Sequence, residues 1–132
     1  MAAENTALVR RKVALWYQPE RADELRDLVG DGYVHHTLQG DIGIEEFVGA
    51  LAYLGAAFTD PAVEIVQLVA EGDCVSAFIA WEATHSGEFA GVPPTGRRVR
   101  TTGAYFCRIA EGRVAEDWDV WGMLDLMRQI EA

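Results

Sequence analysis

The hydrophobic period of the chain changes once, near residue 60, and no other feature limits the possible folds as much. Before that point apolar residues recur at helical spacing. Val9, Val13, Trp16 and Tyr17 form the first stripe; Asn5 or Thr6 is placed to cap it and Pro19 to stop it. Leu25, Leu28 and Val29 predict a short second helix ended by Gly30. Ile44, Phe47, Val48, Leu51, Leu54 and Phe58 give a third stripe, closed by Asp60-Pro61. Beyond it the pattern is that of strands. Residues 63–70 are apolar and β-branched, Glu71-Gly72-Asp73 turns the chain, and Cys74–His85 reads as a long strand. A Gly/Pro loop fills 86–96, a second long strand covers 98–109, Glu111-Gly112 turns, and Arg113–Trp121 returns. Met123, Leu124, Leu126, Met127 and Ile130 suggest a short closing helix. Helices followed by antiparallel strands predict an α+β fold: a strongly bent antiparallel sheet wrapped around about three N-terminal helices. A pocket at the open end is a common result of such a bend.

The 132 residues fit one domain spanning 1–132, and half of them are hydrophobic, enough for a sizeable core. The formal net charge of −10 argues against nucleic acid and against anionic membranes as partners. No apolar run approaches the ~20 residues of a membrane span. The first twelve residues lack the apolar stretch of a leader, so a cytoplasmic protein is expected. Cys74 and Cys107 each lie in an apolar run and read as buried free thiols. With three histidines far apart and no CxxC spacing, no metal site is expected.

Two stretches carry a resemblance. Thr84-His85-Ser86-Gly87-Glu88-Phe89-Ala90-Gly91-Val92-Pro93-Pro94-Thr95-Gly96-Arg97-Arg98 is similar to the central loop of the SnoaL-like polyketide cyclases. Arg108-Ile109-Ala110-Glu111-Gly112-Arg113-Val114-Ala115-Glu116-Asp117-Trp118-Asp119 resembles their final hairpin, and Tyr33-Val34-His35-His36 and Gly72-Asp73 extend the likeness more weakly. The resemblance implies the NTF2-like cone, frequent assembly into homodimers or homotetramers, and intramolecular aldol ring closure without metal or cofactor. It also implies that Asp119, in the last strand, is the essential acid/base. The chain departs from the family at two positions: Tyr105 stands where a pocket histidine is usual, and Gly122 where a second acid often follows.

The residues themselves support some of this. Asp119 sits between Trp118 and Trp121. Aromatic walls strip water from a carboxylate, a condition that suits proton exchange. Asp119 is therefore expected to be largely buried on the concave face, and Glu116 and Asp117 to be solvated surface charges. A simple count from the Glu111-Gly112 turn sets Tyr105 opposite Trp118, so that Tyr105 and Asp119 share a face only if a bulge shifts the register. Tyr105 is the candidate second catalytic group, as a hydrogen-bond donor to a developing enolate. His35 and His36 point to opposite faces if extended, so one of them can reach the pocket mouth. His85 either lines the pocket or orients the Pro93-Pro94 loop. Tyr33, Trp16, Phe58, Trp81, Phe106 and Trp121 are candidate pocket walls for a flat ligand. Arg97, Arg98 and Arg100 solvate the loop and strand edge or grip an acidic ligand group. Cys107 and Ile109 are candidates for an apolar surface covered by a second chain.

Together these readings predict a cofactor-independent enzyme closing a ring in a polyketide or related polycyclic carbonyl compound. Two alternatives remain at this point. One is a hydroxylation-associated or epoxide-opening enzyme of natural-product biosynthesis; the other is a non-catalytic small-molecule-binding module.

Overall fold

In the computed structural model, which describes residues 2–131, the change of period separates two layers. The first holds helices α1 (Ala2–Leu15), α2 (Ala22–Asp27) and α3 (Ile44–Ala57), with a 3-10 turn at Pro19–Arg21 between the first two. The second is a six-stranded sheet: β1 (Val29–Thr37), β2 (Gly40–Ile42), β3 (Phe58–Glu71), β4 (Cys74–His85), β5 (Arg98–Ala110) and β6 (Arg113–Trp121). A last helix, α4 (Met123–Glu131), closes the chain. Spatial order across the sheet is β2-β1-β6-β5-β4-β3. The α+β reading holds, with one difference in the sheet. All neighbours run antiparallel except β1 and β6, which are parallel.

The first helix begins at Ala2, so Asn5 and Thr6 lie inside it rather than capping it. The Thr6 hydroxyl instead bonds back to the carbonyl of Ala3. Strand β1 replaces the predicted Gly30 helix end. Its Gly-Asp-Gly start carries little β propensity, and tertiary pairing with β6 decides its conformation. Pro61 does not break the chain but lies within β3, which is an edge strand with a bulge between Thr59 and Ala62.

Helices α1 and α3 cover the inner face of the sheet and α4 packs on β5. Val9, Val13, Leu15 and Trp16 meet Val75, Ala77, Ile79, Tyr105, Cys107 and Val114 in the main core. A second cluster, with Phe58, Ala83, Phe89, Val99, Leu126 and Ile130, fills the opposite end. Cys107 and Ile109 belong to the main core, so they are not the outward surface expected of them; the β5 side chain facing out between them is that of Arg108. Cys107 is a buried free thiol as expected, but Cys74 is exposed, because it starts β4 immediately after a turn. Among the described residues no helix is long and apolar enough to cross a membrane.

The turn at Glu111-Gly112 has positive φ at both residues (54° and 77°), the backbone of a tight two-residue hairpin. Near it the register follows the simple count, with Ile109 opposite Val114. Past Ala115, which pairs with nothing on β5, Arg108 faces Glu116 and Tyr105 faces Asp119. This one-residue bulge sets which side chains of β6 point inward.

Candidate active site

Two strand pairings assemble the site. Parallel pairing sets His35 of β1 beside Asp117 of β6, and antiparallel pairing sets Tyr105 of β5 beside Asp119. Strand alternation then turns Tyr33, His35, Tyr105, Asp117 and Asp119 to the inner face.

Asp117 is the centre of a fully buried cluster. Its Oδ1 accepts from the Tyr33 hydroxyl at 2.8 Å and from His35 Nδ1 at 2.6 Å, and its Oδ2 accepts from the Tyr105 hydroxyl at 2.6 Å. Lys12 Nζ lies 3.1 Å from Oδ2; by angle this contact is an ion pair and not a hydrogen bond. The ammonium is also enclosed by rings, with the Phe47 centroid at 4.4 Å and Tyr105, Trp16 and Tyr33 between 5.2 and 5.6 Å. Burial raises the pKa of a carboxyl group, but the His35, Lys12 and Tyr105 contacts outweigh it and hold Asp117 below the usual range. Burial lowers Lys12, and Asp117 only partly offsets that. Burial also lowers His35, yet hydrogen bonds to Asp117 and Asp119 reverse the sign and bring it up to about 9. These contacts favour the doubly protonated ring, with Nδ1 donating to Asp117 and Nε2 turned to Asp119.

Beyond His35 the fold opens into an apolar cavity of about 420 Å³. Trp16, Phe47, Phe58, Trp81 and Trp121 form much of its wall; His35 and Asp119 are the charged pair at one end. Asp119 Oδ1 is 3.3 Å from His35 Nε2, and Oδ2 accepts from the Trp121 indole N–H at 3.1 Å. Its side chain is 21% exposed, enough for a ligand to touch. Gly103 makes this arrangement possible: a Cβ there would lie 2.4 Å from the Trp121 ring. Gly122 is confined in the same way. A Cβ would sit 2.7 Å from Thr101 Oγ1, which donates to the Gly122 carbonyl, so no second acid fits without rearrangement.

Of the residues singled out in the sequence, Asp119, His35, Trp16, Phe58, Trp81 and Trp121 line this cavity. Tyr105 shares the inner face with Asp119, as the bulge requires. It does not line the cavity; its hydroxyl is committed to Asp117, and so is that of Tyr33. His36 is on the outer face, stacked on Trp118 at 4.7 Å and bonded to Asp41 and Glu116, because it is one residue out of phase with His35. Phe106 is also outward and 40% exposed. His85 is fully buried away from the cavity, and its Nδ1 accepts from the Thr95 backbone N–H; it orients the loop after Pro93-Pro94. Arg98 reaches Glu82 and the Asp60 carbonyl, Arg97 bonds the Gln129 carbonyl, and Arg100 is a surface residue near Glu82.

Asp117 is the main correction. It reads as a solvated charge in the sequence and is in fact fully buried. A signal was available: residues two apart on a strand share a face, so an inward Asp119 requires an inward Asp117 unless a bulge lies between them. Lys12 offered a similar signal, lying between Val9, Val13 and Trp16 on the apolar stripe. Tyr17 also lines the cavity, with its phenol pushed upward by burial and by the Asp119 charge.

Comparison with known proteins agrees with this architecture. The sequence profile of SnoaL-like polyketide cyclases matches residues 6–130. The aklanonic acid methyl ester cyclase DnrD of Streptomyces peucetius is 29% identical over 129 residues, covering 93% of this chain and 88% of that protein. The cyclase of the same description from Streptomyces sp. strain C5, DauD, is 30% identical and covered over 79% of its length. Among solved structures, AclR of Streptomyces galilaeus, a candidate hydroxylase, superposes with a TM-score of 0.90 at 31% identity, over 99% of this chain and 98% of that one. A candidate SnoaL-like cyclase from Jannaschia sp. CCS1 superposes at 0.91 with 24% identity, over 100% of this chain and 94% of that one. The chain belongs to the SnoaL-like polyketide cyclase family.

Proposed function

We propose that this protein closes a ring in a polyketide-type carbonyl compound by cofactor-independent intramolecular aldol addition, with Asp119 as the acid/base. The observation that carries the reading is the Asp119–His35 pair in a largely apolar, aromatic-walled cavity whose lining also includes Asp60. The Asp119 carboxylate takes a proton from a carbon flanked by carbonyls. The enolate carbon then attacks a ketone of the same molecule, forming one C–C bond, and the new alkoxide recovers the proton from Asp119. His35 Nε2–H, held at the same end, donates to the oxygen on which charge develops. Tyr105 is too far back for the role of donor and acts on the site through Asp117. The cavity walls hold a flexible chain folded for attack, which contributes as much as the base.

The likeness to AclR supports a second reading, hydroxylation of a polycyclic compound in the same cavity. Product mass separates the readings. Ring closure leaves the mass of the substrate unchanged, hydroxylation adds one oxygen atom, epoxide opening adds one water, and a binding module changes nothing while retaining the ligand. The experiment is incubation of purified protein with polyketide precursors, without added metal or cofactor and with a chelator, followed by mass spectrometry and chromatography. An isobaric cyclised product formed by wild type and made roughly 10²–10⁴-fold more slowly by Asp119→Asn is expected. Equal rates would reject Asp119 as the base.

For assembly, the outer sheet face supports a homodimer. Phe78, Phe106, Trp118 and Val120 are each 39–50% exposed and adjacent across β4, β5 and β6. Sedimentation should show a dimer that Trp118→Glu dissociates.

A further inference from the structure

We infer that Asp117, a residue outside the cavity, is a positioning residue that holds His35 doubly protonated and aimed at Asp119, with Lys12 as its balancing charge. This rests on the acid/base reading above and deepens it. His35 can present Nε2–H to the cavity end only if Nδ1 is also satisfied. Nδ1 meets Asp117 Oδ1 at 2.6 Å in a site closed to water. The remaining lone pairs of that carboxylate are filled by Tyr33 and Tyr105, and its charge is faced by Lys12, so it has nowhere else to turn. The cluster sets two basic side chains, Lys12 and His35, against two acidic ones, Asp117 and Asp119.

The groups facing His35 come from every element around it. Asp117 and Asp119 are on β6, Tyr33 on β1, Tyr105 and Cys107 on β5, and Phe47 on α3; Lys12 approaches from α1 and Tyr17 from the turn that follows it. Neither tyrosine nor Cys107 supplies charge at neutral pH, since burial raises all three, Cys107 to about 12. Asp117 and Asp119 are thus the two charges that decide whether the ring keeps its second proton. Asp119 loses its negative charge when it binds the substrate proton, so Asp117 is the charged partner that persists through the reaction.

The test is nitrogen-15 NMR of the His35 ring against pH, alongside the pH–rate profile, in wild type and in the double variant Lys12→Met/Asp117→Asn. Removing both charges together leaves no buried ion unpaired, and Asn keeps an acceptor for the tyrosines, so the double variant should fold. In wild type, His35 should be doubly protonated at pH 7.5 and titrate near 9. In the double variant its midpoint should fall toward the ordinary 6.5, and the basic limb of the rate profile should move down with it. Neutral His35 in wild type at pH 7.5 would overturn the inference without any variant. So would an unmoved midpoint in a folded double variant. The ring titration reads the inference independently of turnover. A shifted midpoint with no cyclisation by wild type would leave Asp117 in its role and defeat the catalytic reading, whereas Asp119-dependent cyclisation with an unmoved midpoint would do the reverse.

Discussion

The two faces of the β1–β6 pair carry the same arrangement twice. On the inner face His35 bridges Asp117 and Asp119; on the outer face His36 bridges Asp41 and Glu116. The residues are neighbours in sequence, both imidazoles meet a carboxylate at each nitrogen, and carboxylates raise both. The surroundings differ. The outer histidine lies against Trp118 in water, and Arg108 shares Glu116 with it. The inner one is enclosed by Phe47 and by a carboxylate that has no exposure. In water such contacts exchange freely with solvent and are worth little. In the interior each one is obligatory, since an unpaired ion there is strongly disfavoured. The same side-chain chemistry yields a buried, fixed imidazole on one face and an ordinary solvated network on the other.

The sharpest way to break this comparison is to treat the two histidines alike. His35→Gln should slow turnover by roughly 10²-fold or more. His36→Gln should leave it unchanged, read under the same saturating conditions. Equal losses would mean that burial does not distinguish the two. Next in size is the cost of separating the inner charges. Lys12→Met alone strands the Asp117 carboxylate and should lower the unfolding free energy by about 3–5 kcal/mol in urea at pH 7, against much less for the double variant. A smaller effect tests the proton on His35. Its value in the folded chain is above that in the unfolded chain, so its contribution is complete below pH 6.5 and is lost as pH rises through about 9. Stability should decline across that window by on the order of 2 kcal/mol, and His35→Gln should flatten the decline. The smallest effect concerns support of Asp119. Gly103→Ala displaces the Trp121 ring and should reduce turnover by about 10-fold while the fold persists, the loss of one hydrogen bond to a charged group.

Much of this was legible in the amino-acid sequence where local rules suffice. The three long strands from Cys74 onward, the Glu111-Gly112 turn and the helical stripes follow from periodicity and turn chemistry alone. The inward placement of Asp119 was expected from its two neighbouring tryptophans, but only Trp121 meets it; Trp118 faces outward against His36. What failed were features set by pairing across long distances. Strand β1 has a weak local signature, and its partner lies some eighty residues away. Asp117 reads as one more acid in an acidic chain, and only the face of β6 reveals it. The simple count set Tyr105 opposite Trp118; the bulge at Ala115 brings it to the face of Asp119, and a count cannot say which carboxylate its hydroxyl chooses.

The unpaired Ala115 has a consequence for how this hairpin tolerates change in length. Substitutions there leave the frame of β6 intact. Loss of Ala115 itself would leave a regular ladder, with Ile109 still opposite Val114 and Arg108 still opposite Glu116, so both aspartates would stay inward; loss of a residue beyond the bulge, such as Trp118, would turn Asp119 outward. The hairpin can therefore lose its unpaired residue without turning its aspartates, but it does not tolerate a change of length between Glu116 and Asp119. The same holds when relatives are lined up against this chain. A gap placed one position off within the hairpin would assign the role of Asp119 to a tryptophan or a valine. The acid has to be located by counting from the bulge rather than from the turn.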